Sequence, residues 1–123
     1  MFLPIAVDTQ CTPEYKVIDK PILYVKNGEG VAVKIAPGES KIVKTGCELN
    51  VPSDYVAAVY SIPQLILQKN VVTTTGVVEK NFRGEIVINL YNFGCEEVEI
   101  APSEVIAGLE FYPYVDLATT RFR

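Results

Sequence analysis

Short runs in which apolar and polar residues alternate set the character of this chain. Lys41–Thr45, Tyr55–Tyr60, Glu85–Tyr91 and Glu97–Ile100 are rich in Val, Ile and Tyr, and most of them alternate in period two. Side chains on a strand point to alternate faces, so this pattern predicts half-buried β-strands. In the last run, Val98 and Ile100 are expected to face a core while Glu97 and Glu99 face water. Turn-forming clusters separate the runs: Asn27-Gly28-Glu29-Gly30, Ala36-Pro37-Gly38-Glu39, Val51-Pro52-Ser53-Asp54, Asn92-Phe93-Gly94 and Ala101-Pro102-Ser103. No window keeps a helical apolar stripe over several turns without meeting Pro or Gly. The best helical candidate, Ser103–Leu109, reads as a turn or strand entry. The expected fold is a single all-β domain over residues 1–123, a sandwich, jelly roll or barrel of about ten short strands.

Composition narrows the chemistry. Of 123 residues, 49 % are hydrophobic and 21 % charged, which suits one globular domain and not a disordered chain. Eleven Lys and Arg against fifteen Asp and Glu give 11 − 15 = −4. A protein that neutralises nucleic-acid phosphates is basic, so nucleic acid is not an expected partner. Histidine is absent. That removes Ser–His and Cys–His nucleophile pairs, His-ligated zinc and imidazole acid–base catalysis. Cys11, Cys47 and Cys95 are odd in number and form no CxxC, so they are expected as buried or half-buried thiols in a reducing compartment. Met1–Val7 is apolar but short and lacks a basic flank, so no signal peptide is expected. No apolar run approaches the length of a membrane helix. An intracellular protein with no membrane partner is expected.

In the middle of the chain, Gly76-Val77-Val78-Glu79-Lys80-Asn81-Phe82-Arg83-Gly84-Glu85-Ile86 resembles the third signature motif of trimeric dUTPases, GVIDxDYRGEI. Val87–Gly94 is similar to the VxLxNxG strand that follows it in that family. Ala36-Pro37-Gly38-Glu39 and Val43-Lys44-Thr45-Gly46 resemble PPGE…VxTG, and Val51–Tyr55 resembles IPxGY. Ile106-Ala107-Gly108-Leu109 stands where the family has IAQL. The pieces agree in order and spacing from Ala36 to Pro113. The resemblance implies a distorted jelly roll of the dUTPase-like type that forms a homotrimer. It also implies active sites shared between subunits, Mg²⁺ on the triphosphate, and hydrolysis to dUMP and pyrophosphate.

The same alignment finds much of the family's chemistry replaced. Glu79 stands at the Asp that orients the attacking water; the carboxylate remains, one methylene longer. Phe82 replaces the Tyr that packs on the deoxyribose, and with Asn81 forms a remnant of the nucleotide site. The phosphate-clamping PRSG becomes Ile62, Pro63 and Gln64, with Leu65-Ile66-Leu67 on the family's LAL. An Arg fork gives way to an alkyl group and a hydroxyl to a ring without even a backbone donor. Ser61 lies one residue earlier, but no Arg follows it. The Arg and Gln of the fourth motif become Val105 and Gly108. The magnesium-shell Asp of the first motif has no counterpart between Ile22 and Ala36, and Asp19 lies in the wrong context. Thr119–Arg123 does not resemble the Gly-rich closing arm. Arg83 is expected to take a salt-bridge or trimer-interface role, with Glu85 its natural class of partner. Gly84 is expected to supply an unusual backbone angle at the strand entry.

Other clusters have plain readings. Thr73-Thr74-Thr75 reads as a β-rich segment with polar edges. Glu96, Glu97, Glu99 and Glu104 read as a solvated sheet face and not a metal patch. Phe111, Tyr112 and Tyr114 read as core or subunit contact. Lys16, Lys20 and Lys26 read as surface charges. Arg121-Phe122-Arg123 is a short recognition element or a frayed end. Three functions are open at this point. The first is a catalytically inactive dUTPase-like protein, similar to virus-encoded non-catalytic relatives, acting through an unidentified protein partner in the host cytoplasm or nucleus. The second is an atypical nucleotide pyrophosphatase using Glu79, the one case that calls for Mg²⁺ as cofactor. The third is a capsid-type jelly-roll subunit.

Overall fold

The computed structural model describes residues 3–9, 12–18 and 22–113, the first two stretches by their backbone alone. Its elements in chain order are β1 (Leu3–Thr9), β2 (Thr12–Ile18), β3 (Ile22–Lys26), β4 (Val33–Ile35), β5 (Ser40–Asn50) and β6 (Tyr55–Ser61). They continue with α1 (Pro63–Lys69), β7 (Val71–Thr73), β8 (Val77–Val78), β9 (Arg83–Asn92), β10 (Val98–Ile100) and β11 (Val105–Pro113). The strands form three sheets, in the orders β2-β1-β5-β9-β7, β3-β11-β6-β8 and β10-β4. The expected all-β class holds, and all four of the longest predicted runs are strands.

Period-two alternation decides which residues enter the core. On β9, Ile86, Ile88 and Leu90 are buried, and Val43 and Leu49 of β5 join them. Facing residues on the second large sheet are Val25, Ala57, Val59, Ala107, Leu109 and Phe111. Together they form one apolar core, in which each large side chain contributes about 1.5–3 kcal/mol by leaving water. On β10, Ile100 is buried and Glu99 is exposed, and Glu97 just before the strand is exposed too, as the alternation requires.

The long β5–β9 ladder is interrupted once, between Lys44 and Glu48. Lys44 pairs with Val87 and Glu48 with Glu85, so Thr45, Gly46 and Cys47 together oppose Ile86. The Thr45 hydroxyl donates to the Ile86 carbonyl at 2.6 Å and accepts the Cys47 N–H at 3.2 Å. The Gly46 N–H, at a φ of 68°, donates to the Glu85 carboxylate at 3.0 Å. Two extra residues keep the phase of the alternation, whereas a single one would turn the following side chains inside out.

Two buried asparagines tie the loops. Asn27 Nδ2 donates to the carbonyls of Val31, Ile100 and Ala101 at 3.1–3.2 Å, and its Oδ1 accepts the Glu29 N–H. Asn92 is fully buried. Its Nδ2 donates to the carbonyls of Ile35 and Glu96, and its Oδ1 accepts the Gly94 N–H. Each side chain satisfies backbone groups that no ladder reaches.

The short helix α1 departs from the purely β expectation. Seven residues hold too few turns to show a stripe: Leu65 is buried while Leu67 is 83 % exposed. Pro63 opens it, and Asn70 closes it in the left-handed conformation with its N–H directed to the Leu65 and Ile66 carbonyls. Cys47 is buried as expected, but Cys95 is exposed in the loop after β9; Cys11 lies outside the described residues. Among the described residues, no helix is long and apolar enough to cross a membrane.

Gly84 has a φ of +149° where β9 begins. A Cβ there would meet only the Phe82 ring, at 3.8 Å, so the constraint lies in the backbone angle and not in space. Gly84→Val is expected to cost about 1–3 kcal/mol; an unchanged urea midpoint would show that the angle carries no strain. Asn92→Ala is expected to cost about 2–4 kcal/mol, because the Ile35 and Glu96 carbonyls lose their donor in the interior. A change below about 0.5 kcal/mol in the same measurement would remove the asparagine from that role.

Candidate functional site

The third-motif residues occupy the turn from β8 to β9. The Phe82 N–H donates to the Glu79 carbonyl at 3.2 Å, closing a four-residue turn. Asn81, at its third position, has a φ of 65°, which asparagine tolerates better than most residues. The turn is fastened to buried Val51: Asn81 N–H donates to the Val51 carbonyl, and Val51 N–H to the Phe82 carbonyl. Val51 begins the Val51–Tyr55 segment, so two of the recognisable pieces lock one another. Phe82 is half-buried against the core, while Glu79, Asn81 and Arg83 are exposed.

No ion pair joins Arg83 to Glu85, the acid nearest to it on β9. Within one chain, Arg83 makes no ion pair among the described residues, and the Glu85 carboxylate instead accepts the Gly46 N–H. Glu85 lies opposite Glu48 on β5, and its bond to Gly46 gives one of two facing acids a donor.

The second-motif residues sit at the far end of β6. Ile62 caps α1 without a side-chain bond, Pro63 is its first helical residue, and Gln64 follows, exposed. The Ser61 hydroxyl accepts the Thr73 N–H at 3.0 Å and so serves the fold. The threonine run does the same: Thr73 Oγ1 donates to the Asn89 carbonyl, and Thr75 Oγ1 accepts the Asn89 N–H.

Gly108 lies in the middle of β11, between Tyr24 of β3 and Tyr60 of β6. A Cβ at Gly108 would stand 2.8 and 2.9 Å from Cε2 and Cζ of Tyr60. The ring therefore lies directly on the glycine, where a side chain at 108 would go. Sequence reasoning did not single out Tyr60 or Tyr24. The signal was a glycine inside a strand, which often marks a close approach.

These pieces divide into two groups. Gly108 and Tyr60 stand near the α1 head, at one end of β6. The Glu79 turn follows Val78, which pairs with Ala57 near the other end. From Ala57 to Ile62 is about 16 Å at 3.3 Å per residue. One chain does not bring the two groups together.

Among the described residues, no group of three or more acids and thiols is placed to hold a metal ion. The acidic edge is no exception: the Glu104 carboxylate takes Lys69 Nζ at 3.0 Å and the Ala101 N–H at 2.9 Å. Phe111 is buried, Tyr112 is exposed, Lys16 is described by its backbone alone on β2, and Tyr114, Lys20 and Arg121–Arg123 lie outside the described residues.

Comparison with known proteins agrees with this architecture. The dUTPase phage 80alpha of Staphylococcus carries superposes with a TM-score of 0.77 at 18 % identity, over 97 % of this chain and 94 % of that one. The EIAV dUTPase gives 0.76 at 17 % over the same shares. At this identity the likeness establishes the fold. A deoxyuridine 5'-triphosphate nucleotidohydrolase of Methylocella silvestris is 34 % identical over 86 residues, 68 % of this chain and 54 % of that protein. That of Escherichia phage T5 is 32 % identical over 83 residues, 65 % and 55 %. The chain thus spans about half the length of the curated relatives it matches. The family model for dUTPase matches residues 24–123, nearly the whole of the described domain and its C-terminal continuation, and the chain belongs to the dUTPase family.

Proposed function

We propose that this chain is a non-catalytic member of the dUTPase family that assembles as a homotrimer and acts by binding a protein partner inside the cell, in a viral setting. The observation that carries it is the state of the phosphate end of β6. Ile62, Pro63 and Gly108 stand where the family places an Arg, a hydroxyl and a Gln, and the Tyr60 ring fills the place over Gly108. An alkyl group, an imide ring and a phenol edge present no cationic fork to a triphosphate. The net charge of −4 works in the same direction.

Two further observations support the reading. The separation of the Glu79 turn from the α1 head fits a molecule whose composite surfaces arise only between copies. In such an assembly Arg83, exposed and without an ion pair among the described residues of its own chain, has a neighbour to brace. The 80alpha relative is described as controlling transfer of virulence genes by a proto-oncogenic G protein-like mechanism, a role that goes beyond nucleotide hydrolysis in a protein of this fold.

An enzymatic reading has two observations in its favour: Glu79 is exposed on its turn, and matching relatives are nucleotidohydrolases. Pyrophosphate release from dUTP with Mg²⁺, measured beside Glu79→Ala, separates the two. No turnover above the variant is expected; turnover that disappears in the variant makes the protein an enzyme. Arg83→Ala is expected to shift sedimentation on dilution from trimer toward monomer, and a variant that stays trimeric places the seam elsewhere. Gly108→Gln alone is expected to cost about 1–3 kcal/mol by evicting the Tyr60 ring. In a Tyr60→Ala background the same change costs less, and strict additivity would mean that the two positions do not compete.

A further inference from the structure

Two separate demands of the fold place an asparagine directly before a glycine at the end of β3. The first demand is for the Asn27 side chain, which is 2 % exposed. Its Nδ2 donates to the carbonyls of Val31, Ile100 and Ala101, and its Oδ1 accepts the Glu29 N–H. The backbone of the same residue is held as firmly. Its N–H donates to the Glu104 carbonyl at 2.8 Å, and its carbonyl accepts the Ser103 N–H at 2.9 Å. One residue thus joins the end of β3, the loop that leads to β4 and the turn from β10 to β11. The second demand falls on Gly28. Its N–H donates to the Lys44 carbonyl at 2.8 Å, and a Cβ there would stand 2.3 Å from the carbonyl carbon and oxygen of Thr45. Only glycine fits so close to another backbone. Asn27 is the one asparagine of the sequence that glycine follows.

We propose that Asn27-Gly28 is a site of self-modification that the closed turn suppresses, and that the reaction is a one-way exit from the folded state. When the turn opens, the Gly28 amide nitrogen gives its proton to hydroxide and attacks Cγ of Asn27. The new N–Cγ bond closes a five-membered succinimide, and the Cγ–Nδ2 bond breaks to release ammonia. Water then opens the ring. Cleavage between the nitrogen and Cγ leaves aspartate. Cleavage between the nitrogen and the backbone carbonyl carbon leaves isoaspartate, with the main chain rerouted through the side chain. In sum, one water enters and one ammonia leaves. A side chain on the second residue hinders the attack, and glycine has none.

The closed turn opposes each step. The attacking nitrogen has its proton committed to the Lys44 carbonyl. The leaving nitrogen is fixed by three carbonyls, and Cγ swings toward Gly28 only when the side-chain bonds break. Attack needs the reacting atoms near contact and aligned, so the rate follows the population of the open turn. The product does not fit the closed turn. An ionised aspartate has acceptors only. In the place of Nδ2 its oxygen would face the Val31, Ile100 and Ala101 carbonyls, with a charge buried and all three left without their donor. Isoaspartate adds a carbon to the main chain between the bonds to Glu104 and Lys44, whose spacing the closed turn fixes. The same contacts that protect Asn27 therefore reject what it becomes.

The test incubates the full chain at one mildly alkaline pH, folded in buffer and unfolded in urea. Aspartate and isoaspartate are located by peptide mapping with mass spectrometry, and released ammonia is assayed on the same samples. Conversion at Asn27 is expected to be at least about tenfold faster in urea than in the folded chain. Equal rates overturn the proposal, as does an absence of conversion in urea or conversion there that favours Asn50 or Asn70. Gly28→Ala is measured in urea alone, where its ability to fold does not matter. It is expected to slow conversion by about tenfold, and an unchanged rate overturns attack by the residue-28 nitrogen. The converted chain carries one more negative charge and is separated from its parent by anion exchange. After removal of urea it is expected not to regain the parent's near-ultraviolet dichroism or urea midpoint, and Asn27→Asp, prepared directly, is expected to behave in the same way. Full recovery of both by the converted chain overturns the one-way exit.

Discussion

The bond from the Thr45 hydroxyl to the Ile86 carbonyl sets the terms for the rest of the molecule. At 2.6 Å in the interior, it replaces a ladder bond where three residues of β5 face one of β9. An uncompensated carbonyl at that depth costs about 1–3 kcal/mol. With it satisfied, β9 carries one alternation from Ile86 to Asn92, and the core behind it is continuous. Gly28 packs so tightly on this bulge that a Cβ there would stand 2.3 Å from the Thr45 carbonyl. The first large loop is therefore shaped by the same irregularity.

What lies beyond the bulge inherits its position. Glu85 faces Gly46 because the pairing has shifted, and Gly84 faces Leu49. The Glu79–Phe82 turn then reaches Val51 and closes on it through two backbone bonds. Placement of the turn is thus a property of sheet pairing, not of the loop's own sequence. The α1 end of β6 obeys a different constraint, the close approach of an aromatic ring to a strand glycine. The two ends differ in character: the turn presents a carboxylate and an aromatic ring, while the α1 head begins with Ile62, Pro63 and Gln64.

Much of this was legible in the residues. Strands with clean alternation, such as Glu85–Tyr91, announced themselves, because burial on one face and water on the other leave a direct trace. The Asn27–Gly30 turn and the strained entry at Gly84 were readable from residue chemistry. The α1 helix was not, since seven residues with one buried side chain carry no periodicity. The partner of the Glu85 carboxylate was hidden for a related reason. Neighbours two apart on a strand share a face, but a better partner came from β5, and only the bulge register reveals it. The Tyr60 seat was equally hidden: it joins residues far apart in sequence, through a contact that exists only when β6 and β11 pair.

The distance between the two ends of β6 also has a genetic meaning. In the proposed homotrimer, a surface made from the turn of one copy and the α1 head of another would belong to no single chain. Two defective alleles, one altered at the turn and one at the helix head, each retain one sound half. Expressed together in such a trimer, they would rebuild sound surfaces in mixed assemblies, and the cell would show complementation between alleles of one gene. Two alleles damaged at the same end have no such recourse.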